Sequence, residues 1–291
     1  MSTDAPVPHP DAAREAPTPR RAGREHLAAA LASLLLAIGL TWPAATDLQG
    51  RLLGHPGNDS WNHVWGYWWV SSELAEGRWP AHTHLLSWPD GGTLYFIDSV
   101  QAVASWPVQL LLGPAAAYNL VVIAGFALSG FGAWLLARRV TGDPIVSGLA
   151  MVLYGGAPHL LGQAFNGISE TVCAGWLPLT IWGLIRLIDR PSVGRMLALG
   201  AFAAGCALTS WYYGLMAAIA GTVVLVWQAA GQAFATRWKA LVPALLGAGA
   251  TAVVLVGPML LAFRSSLDAA DALVTRDPEF VRRSLMDHNI T

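Results

Sequence analysis

Long apolar runs separated by short polar breaks dominate this chain. The first, Leu27–Ala45, is long enough to span a bilayer. Six more follow, at about Asn119–Leu136, Ile145–Leu161, Thr171–Ile188, Met196–Trp211, Leu215–Ala230 and Leu241–Phe263. Between the first run and the second lies a polar and aromatic stretch, about 47–118, where the pattern changes. From His55 to Trp69 it reads HPGNDSWNHVWGYWW. The spacing predicts a helix from Asp59 to about Glu76, with Asn58, Asp59 or Ser60 as its cap. On that helix Trp61, Trp65, Trp68 and Trp69 share one face, and Asp59, Asn62, His63 and Gly66 fall on the other. An indole face suits the headgroup level of a bilayer, so the helix is expected to lie parallel to the membrane. Pro89-Asp90-Gly91-Gly92 is a turn signal. Gln101 to Gly113 is apolar but too short to cross, and Pro107 interrupts it, which predicts a second interfacial or re-entrant helix.

Composition agrees with the pattern. The chain is 54% hydrophobic and only 12% charged, about half the charge of a typical soluble domain. That is too little to coat a globule of 291 residues. The expected fold is therefore all-α: a polytopic bundle of about seven spans, with a long first extracytoplasmic loop carrying membrane-parallel helices. The net charge of −1 offers no basic stripe for nucleic acid. Residues 1–24, with five prolines at Pro6, Pro8, Pro10, Pro17 and Pro19, read as a disordered cytoplasmic tail. Residues 25–263 form the membrane domain. Residues 264–291 read as an extracytoplasmic tail or the start of a truncated domain.

Arginine placement sets the expected orientation. Arg14, Arg20, Arg21, Arg24, Arg138, Arg139, Arg186, Arg190, Arg195, Arg237 and Lys239 fall on one side, whereas the short connections of the other side hold only Arg51 and Arg78. The N-terminus is then cytoplasmic and the Trp-rich loop outside, in a multi-pass protein of the plasma (inner) membrane. Gly125, Gly130, Gly132, Gly247 and Gly249 mark places where helices can approach closely. Cys173 and Cys206 lack metal or redox spacing and read as small core residues.

Candidate chemistry sits on the outer side. Asp59 and His63 are one helical turn apart, so they can share a proton in general-base work or bind one divalent metal ion. Asp90 lies in the turn. Asp98 stands at the entrance to the second short helix, where capping it is a sufficient role. Glu170 opens the fourth span and either points into a cavity between helices or is a first-turn acid favoured by the helix dipole. Tyr212, in Ser210-Trp211-Tyr212-Tyr213, is either a belt anchor or part of a site for a lipid-linked or sugar-like ligand. No nucleotide-binding loop, hydrolase elbow or zinc-ligand spacing is present.

One spanning helix, a long outer loop with an acid and two membrane-parallel helices, then closely spaced spans: this order resembles the GT-C superfamily of integral-membrane glycosyltransferases. WPDGGTLY, GPAAAYNLVVIAGFALSGFGAWLLARRVTGDP and ISETVCAGWLPLTIWGLIRL are similar to bacterial YfhO-like and mannosyltransferase-like multispanning proteins of the cell envelope. The resemblance covers roughly Leu27 to Phe263. It implies an inverting transfer of a sugar from a polyprenyl-phosphate donor to an acceptor at the outer membrane face. The first-loop acid of the family maps onto Asp59, although Ser60 stands where many relatives carry a second acid. On this reading Asp59 and His63 are catalytic, and Trp61, Arg51, Arg78, Asp90, Glu170 and Tyr212 bind substrate. Two other classes fit the same sequence: a non-catalytic membrane assembly subunit, and a lipid or polysaccharide transporter. The near absence of ionisable groups at span centres weighs against ion-coupled transport.

Overall fold

The structure is a computed structural model and describes residues 19–86, 91–93, 98–229 and 232–267, with Glu279 and Arg282. It is all-helical. In order come α1 (Pro19–Leu40), α2 (Ser60–Ala75), α3 (Ser99–Ala104), α4 (Trp106–Leu112), α5 (Pro114–Thr141) and α6 (Pro144–Gly155). Then follow α7 (Pro158–Asn166), α8 (Ser169–Val172), α9 (Trp176–Asp189), α10 (Val193–Thr209), α11 (Trp211–Ala229) and α12 (Gln232–Leu267). The one strand pairing among the described residues is a two-residue antiparallel ladder, His82–Thr83 against Gly92–Thr93.

Among the described residues, six segments are long and apolar enough to cross a membrane: Ala22–Leu40, Pro114–Thr141, Pro144–Asn166, Ser169–Asp189, Trp211–Ala229 and Trp238–Arg264. These match six of the seven expected runs. The seventh, at Met196–Trp211, forms α10, which is 17 residues long and apolar. Leu246, Val253, Val254 and Leu261 on α12 and Leu215, Val223 and Trp227 on α11 face outward. In water that much apolar surface would drive aggregation; hydrocarbon accommodates it.

The proline and glycine positions fix the breaks. Pro114, Pro144 and Pro158 each open a helix, where a missing N–H is harmless. Asp143 caps α6, its carboxylate accepting from the amides of Ile145 and Val146 at 2.7 and 3.1 Å. The third and fourth spans are both broken, at Gly156–Ala157 and at Cys173–Gly175. The second break leaves the single turn α8 at the head of the fourth span.

Helix α5 is the centre of the bundle and packs against α1, α2, α4, α6 and α9. Close approach depends on its glycines. A Cβ on Gly125 would lie 2.9 Å from the Cys173 sulfur, one on Gly132 would lie 2.9 Å from the Gly175 carbonyl oxygen, and one on Gly130 would strike the Ser33 hydroxyl. Gly247 meets Met196 in the same way, but Gly249 faces open space, so its expected packing role fails. Cys173 and Cys206 are free and buried, as core residues should be.

Two boundaries differ from expectation. Residues 19–24 belong to α1 rather than to a tail, because RRAGREHLAAA propagates helix back from the apolar run; residues 1–18 lie outside the described set. At the other end Arg264 to Leu267 continue α12, and most of 268–291 lies outside the described set.

Candidate functional site

The first loop is pinned to the bundle by one buried amide. Asn119 on α5 accepts from the Leu53 amide at 2.9 Å and donates to the carbonyls of Leu48 and Arg51 at 2.8 and 2.5 Å. The loop then docks on the end of α7, with His55 N–H to Phe165 O at 2.8 Å and Asp59 N–H to Asn166 O at 3.1 Å. Gly167 closes that contact. Its φ of +81° is left-handed, and a Cβ there would fall 2.7 Å from the Cα of Ser60.

Helix α2 therefore starts at a fixed point, and its orientation follows. Ser60, His63, Tyr67 and Val70, at three- and four-residue steps, turn inward. Tyr67 lies edge-on to Tyr118 of α5. The expected four-Trp face is split: Trp61 and Trp68 are 61% and 45% exposed, while Trp69 is 2% exposed and stacks on Trp65 at 6.3 Å. The reason is that α2 is apolar almost all round, and such a helix is buried on more than one side. The face carrying His63, expected to look outward, is the one the protein buries.

His63 lies between two carboxylates. Its Nδ1 donates to Asp98 Oδ2 at 2.7 Å, and its Nε2 stands 3.5 Å from Glu170 Oε2. The side chains are 5%, 3% and 21% exposed for His63, Asp98 and Glu170. Ser169 donates its hydroxyl to the same Asp98 oxygen. Asp98 Oδ1 and Glu170 Oε2 have no hydrogen-bond partner among the described residues, which is uncommon for buried carboxylate oxygens. Asp98 occupies the cap position of α3 but makes no capping bond. Its φ of 52° turns the carboxylate away from the helix and toward His63, a conformation costing on the order of 1–3 kcal/mol.

Burial pulls the imidazole pKa down, but the hydrogen bond to Asp98 and the charges of Asp98, Glu170 and Asp59 outweigh it, leaving His63 above 6.5. Because a carboxylate only accepts, the Nδ1 proton is fixed and the neutral ring presents its lone pair at Nε2, toward Glu170. Tyr67 is buried alongside; burial first, and then the Asp98 charge, push its phenol well above 10.

Donor atoms of His63, Asp98 and Glu170 lie within 4.8 Å of one another. Each ring nitrogen faces a different acid, however. A divalent ion would sit at Nε2 with Glu170, and Asp98 would hold the ring from behind, an arrangement common around metal-bound histidines.

The other predicted residues are placed as follows. Asp59 is exposed at the start of α2; its carboxylate accepts from Asn62 at 3.2 Å and is not bonded to His63. Arg51 lies 4.0 Å from Asp47. Arg78 is held by Glu73 at 2.7 Å and by Glu76. Tyr212 is 74% exposed, whereas its neighbour Tyr213 is buried and donates to the Thr171 carbonyl. Asp90 lies outside the described residues. His63 and Asp98 line a cavity of about 290 Å³ whose walls are mostly apolar, among them Trp65, Trp69, Val103, Leu255 and Met259. Arg51, Asp59, Trp61, Arg78, Glu170 and Tyr212 do not line it.

A family profile described as a domain of unknown function, DUF6311, matches residues 20–272. The chain belongs to the DUF6311 family. No curated protein and no solved structure matches it. The DUF6311 region contains the whole His63–Asp98–Glu170 cluster, its cavity and all six candidate spans. Asp98 is the member that sequence reasoning undervalued. The available signal was a carboxylate inside the run YFIDSV, since an acid among apolar residues needs a partner.

Proposed function

We propose that this DUF6311 protein is a GT-C-type inverting glycosyltransferase of the plasma membrane, moving a sugar from a polyprenyl-phosphate donor to an acceptor hydroxyl at the outer face. In this reading α10 is a seventh crossing, the N-terminus is cytoplasmic, the first loop is outside, and α2 runs along the membrane. The observation that carries the proposal is a buried Asp–His–Glu cluster, two of whose members, His63 and Asp98, line an apolar, indole-lined cavity, with Glu170 behind them at 3.5 Å from His63 Nε2. The cavity suits the first isoprene units of a lipid carrier, and the cluster suits proton transfer beside them.

The base is assigned to Glu170, the most exposed member of the cluster, rather than to the exposed Asp59 outside it. Glu170 takes the acceptor's proton as the acceptor oxygen bonds to the anomeric carbon. The bond from that carbon to the phosphate oxygen breaks, and the polyprenyl phosphate leaves with the electron pair. His63, held by Asp98, balances the charge that the incoming proton changes at Glu170. A divalent cation at Nε2 and Glu170 would supply Lewis-acid stabilisation of the leaving phosphate. Arg51 and Arg78 can reach the phosphate only by leaving their acidic neighbours.

The test is transfer of labelled sugar by the purified protein in nanodiscs, against a panel of polyprenyl-phosphate sugars. Glu170→Gln should lower the rate about 10²–10⁴-fold, and Asp59→Asn should cost far less. The reverse order returns the base to Asp59. No transfer by the wild type across the panel, with and without divalent metal, refutes the enzyme and favours an assembly subunit.

A further inference from the structure

A second cavity, of about 1060 Å³, lies at the far end of the bundle from the His63 cluster. Glu170 and Arg186 stand near opposite ends of one span, Ser169–Asp189, about 24 Å apart by helical rise. The cavity is bounded by the ends of α1, α5, α9 and α10 and is strongly basic. Arg138, Arg139, Arg186, Arg190 and Arg195 line it, against Glu25 and Asp189. Five guanidiniums against two carboxylates leave an excess of about three positive charges. Arg138 pairs with Glu25 at 3.1 Å, and Arg139 pairs with Asp189. Arg195 caps backbone, donating to the carbonyls of Arg186 and Arg190 at 2.8 and 3.0 Å. Arg186 has neither role. Its guanidinium lies 4.4 Å above the Trp182 ring and makes no hydrogen bond or ion pair among the described residues. Like charges gathered in one recess repel unless an anion is there. Phe131, Leu135 and Trp182 line the same space, so the anion that fits has an apolar part.

We propose that this cavity binds the phosphate head group of an anionic phospholipid, with Arg186 and Arg190 contacting the phosphate and the acyl chains following the apolar wall. Basic recesses between spanning helices commonly hold such head groups, and a guanidinium fork matches two phosphate oxygens. The inference is independent of the reaction proposed at the other end.

Native mass spectrometry of delipidated protein would test it, with phosphatidylglycerol and phosphatidylcholine added in separate arms and inorganic pyrophosphate competing with phosphatidylglycerol in a third. One phosphatidylglycerol should be retained in preference to phosphatidylcholine. The double variant Arg186→Gln/Arg190→Gln should weaken that preference roughly 25-fold, about fivefold per guanidinium. Arg186→Lys should keep much of it. A charge-matched control, Arg51→Gln/Arg78→Gln, should leave it intact. If the double variant is too unstable to purify, Arg190→Gln alone, at an exposed position, should still show the fivefold loss. Equal binding of the two lipids, or full retention by the basic-site variants, overturns the proposal. So does pyrophosphate displacing the lipid at equal concentration, which would make the recess a free-anion site.

Discussion

Replacing Asp98 with Asn tests the centre of the candidate site most directly. Asn has nearly the same shape and keeps an oxygen that can accept from His63 Nδ1, so the variant removes charge while conserving packing. In the wild type the imidazole and the Asp98 carboxylate are 2.7 Å apart, and neither side chain is more than 5% exposed. Two contributions that raise the His63 pKa, the hydrogen bond and the charge, both come from Asp98. Without the charge, burial becomes the dominant influence, and the imidazole should fall from above 6.5 to below it. Removing one partner of a buried pair costs about 3–5 kcal/mol in the charged state; Asn's retained acceptor places the expected loss near the lower end. The sign of the pH dependence follows from the raised folded pKa. The stabilisation is fully present below the unfolded value of 6.5 and is lost as pH rises through the folded value. The stability gap between wild type and Asp98→Asn should therefore be widest at about pH 5–6 and narrow above the folded pKa. Histidine C2-hydrogen exchange, followed by mass spectrometry of the His63 peptide, reads the pKa itself, and thermal melts in nanodiscs across the same pH series read the gap. A His63 titration midpoint that is unchanged or raised in Asp98→Asn would refute the claim that Asp98 holds the imidazolium.

Two further outcomes follow. Gly167→Ala should destabilise the protein by about 1–3 kcal/mol, because position 167 combines a left-handed φ with a Cβ placed against the backbone of Ser60; chemical denaturation should detect it, whereas Gly249→Ala, in open space, should be nearly neutral. For topology, an impermeant thiol reagent applied to intact cells should modify a single cysteine placed at Asp90 and spare one placed at Arg190; the opposite pattern would reverse the proposed orientation and move the candidate site to the inner face.

The spans were legible because an apolar run long enough to cross a membrane is a property of contiguous sequence. Six of the expected runs became helical segments of crossing length; Pro114 and Pro144 marked the starts of two, and Pro158 restarts the helix after the break in the third. Helix α2 was legible to within a residue at either end, but its rotation was not. Periodicity identifies which residues share a face; it does not say which face the bundle takes when Trp61, Trp65, Trp68 and Trp69 compete with Ser60, Tyr67 and Val70 for burial. That choice is made by contacts far along the chain: Asn119 holding the loop backbone and Gly167 giving Ser60 room.

The same distance dependence explains why the acid–imidazole cluster was legible only as separate residues, with Asp98 missed. Each member has a sufficient local explanation: Asp98 as a helix cap, Glu170 as a first-turn acid, His63 as the solvated side of an interfacial helix. Each explanation predicts a solvated side chain, and all three fail together because the groups meet across 35 and 107 residues of chain, taken as 98 − 63 and 170 − 63. Asp98 shows what the meeting requires. A capping aspartate would accept from the amides of its own helix, as Asp143 does; Asp98 makes no such bond, adopts a left-handed φ, and places its carboxylate on His63 and Ser169. A local capping bond has been exchanged for a buried tertiary one. Two buried carboxylates around one imidazole would lower stability if all three were charged and unrelieved. Structure alone does not call for that arrangement, since an apolar triad of similar volume would pack as well. A cluster that needs a shared proton, and leaves one oxygen of Asp98 and one of Glu170 without a partner among the described residues, is suited to exchanging protons with a ligand, and that is the reason the proposed reaction is assigned here and not to the exposed carboxylate of Asp59.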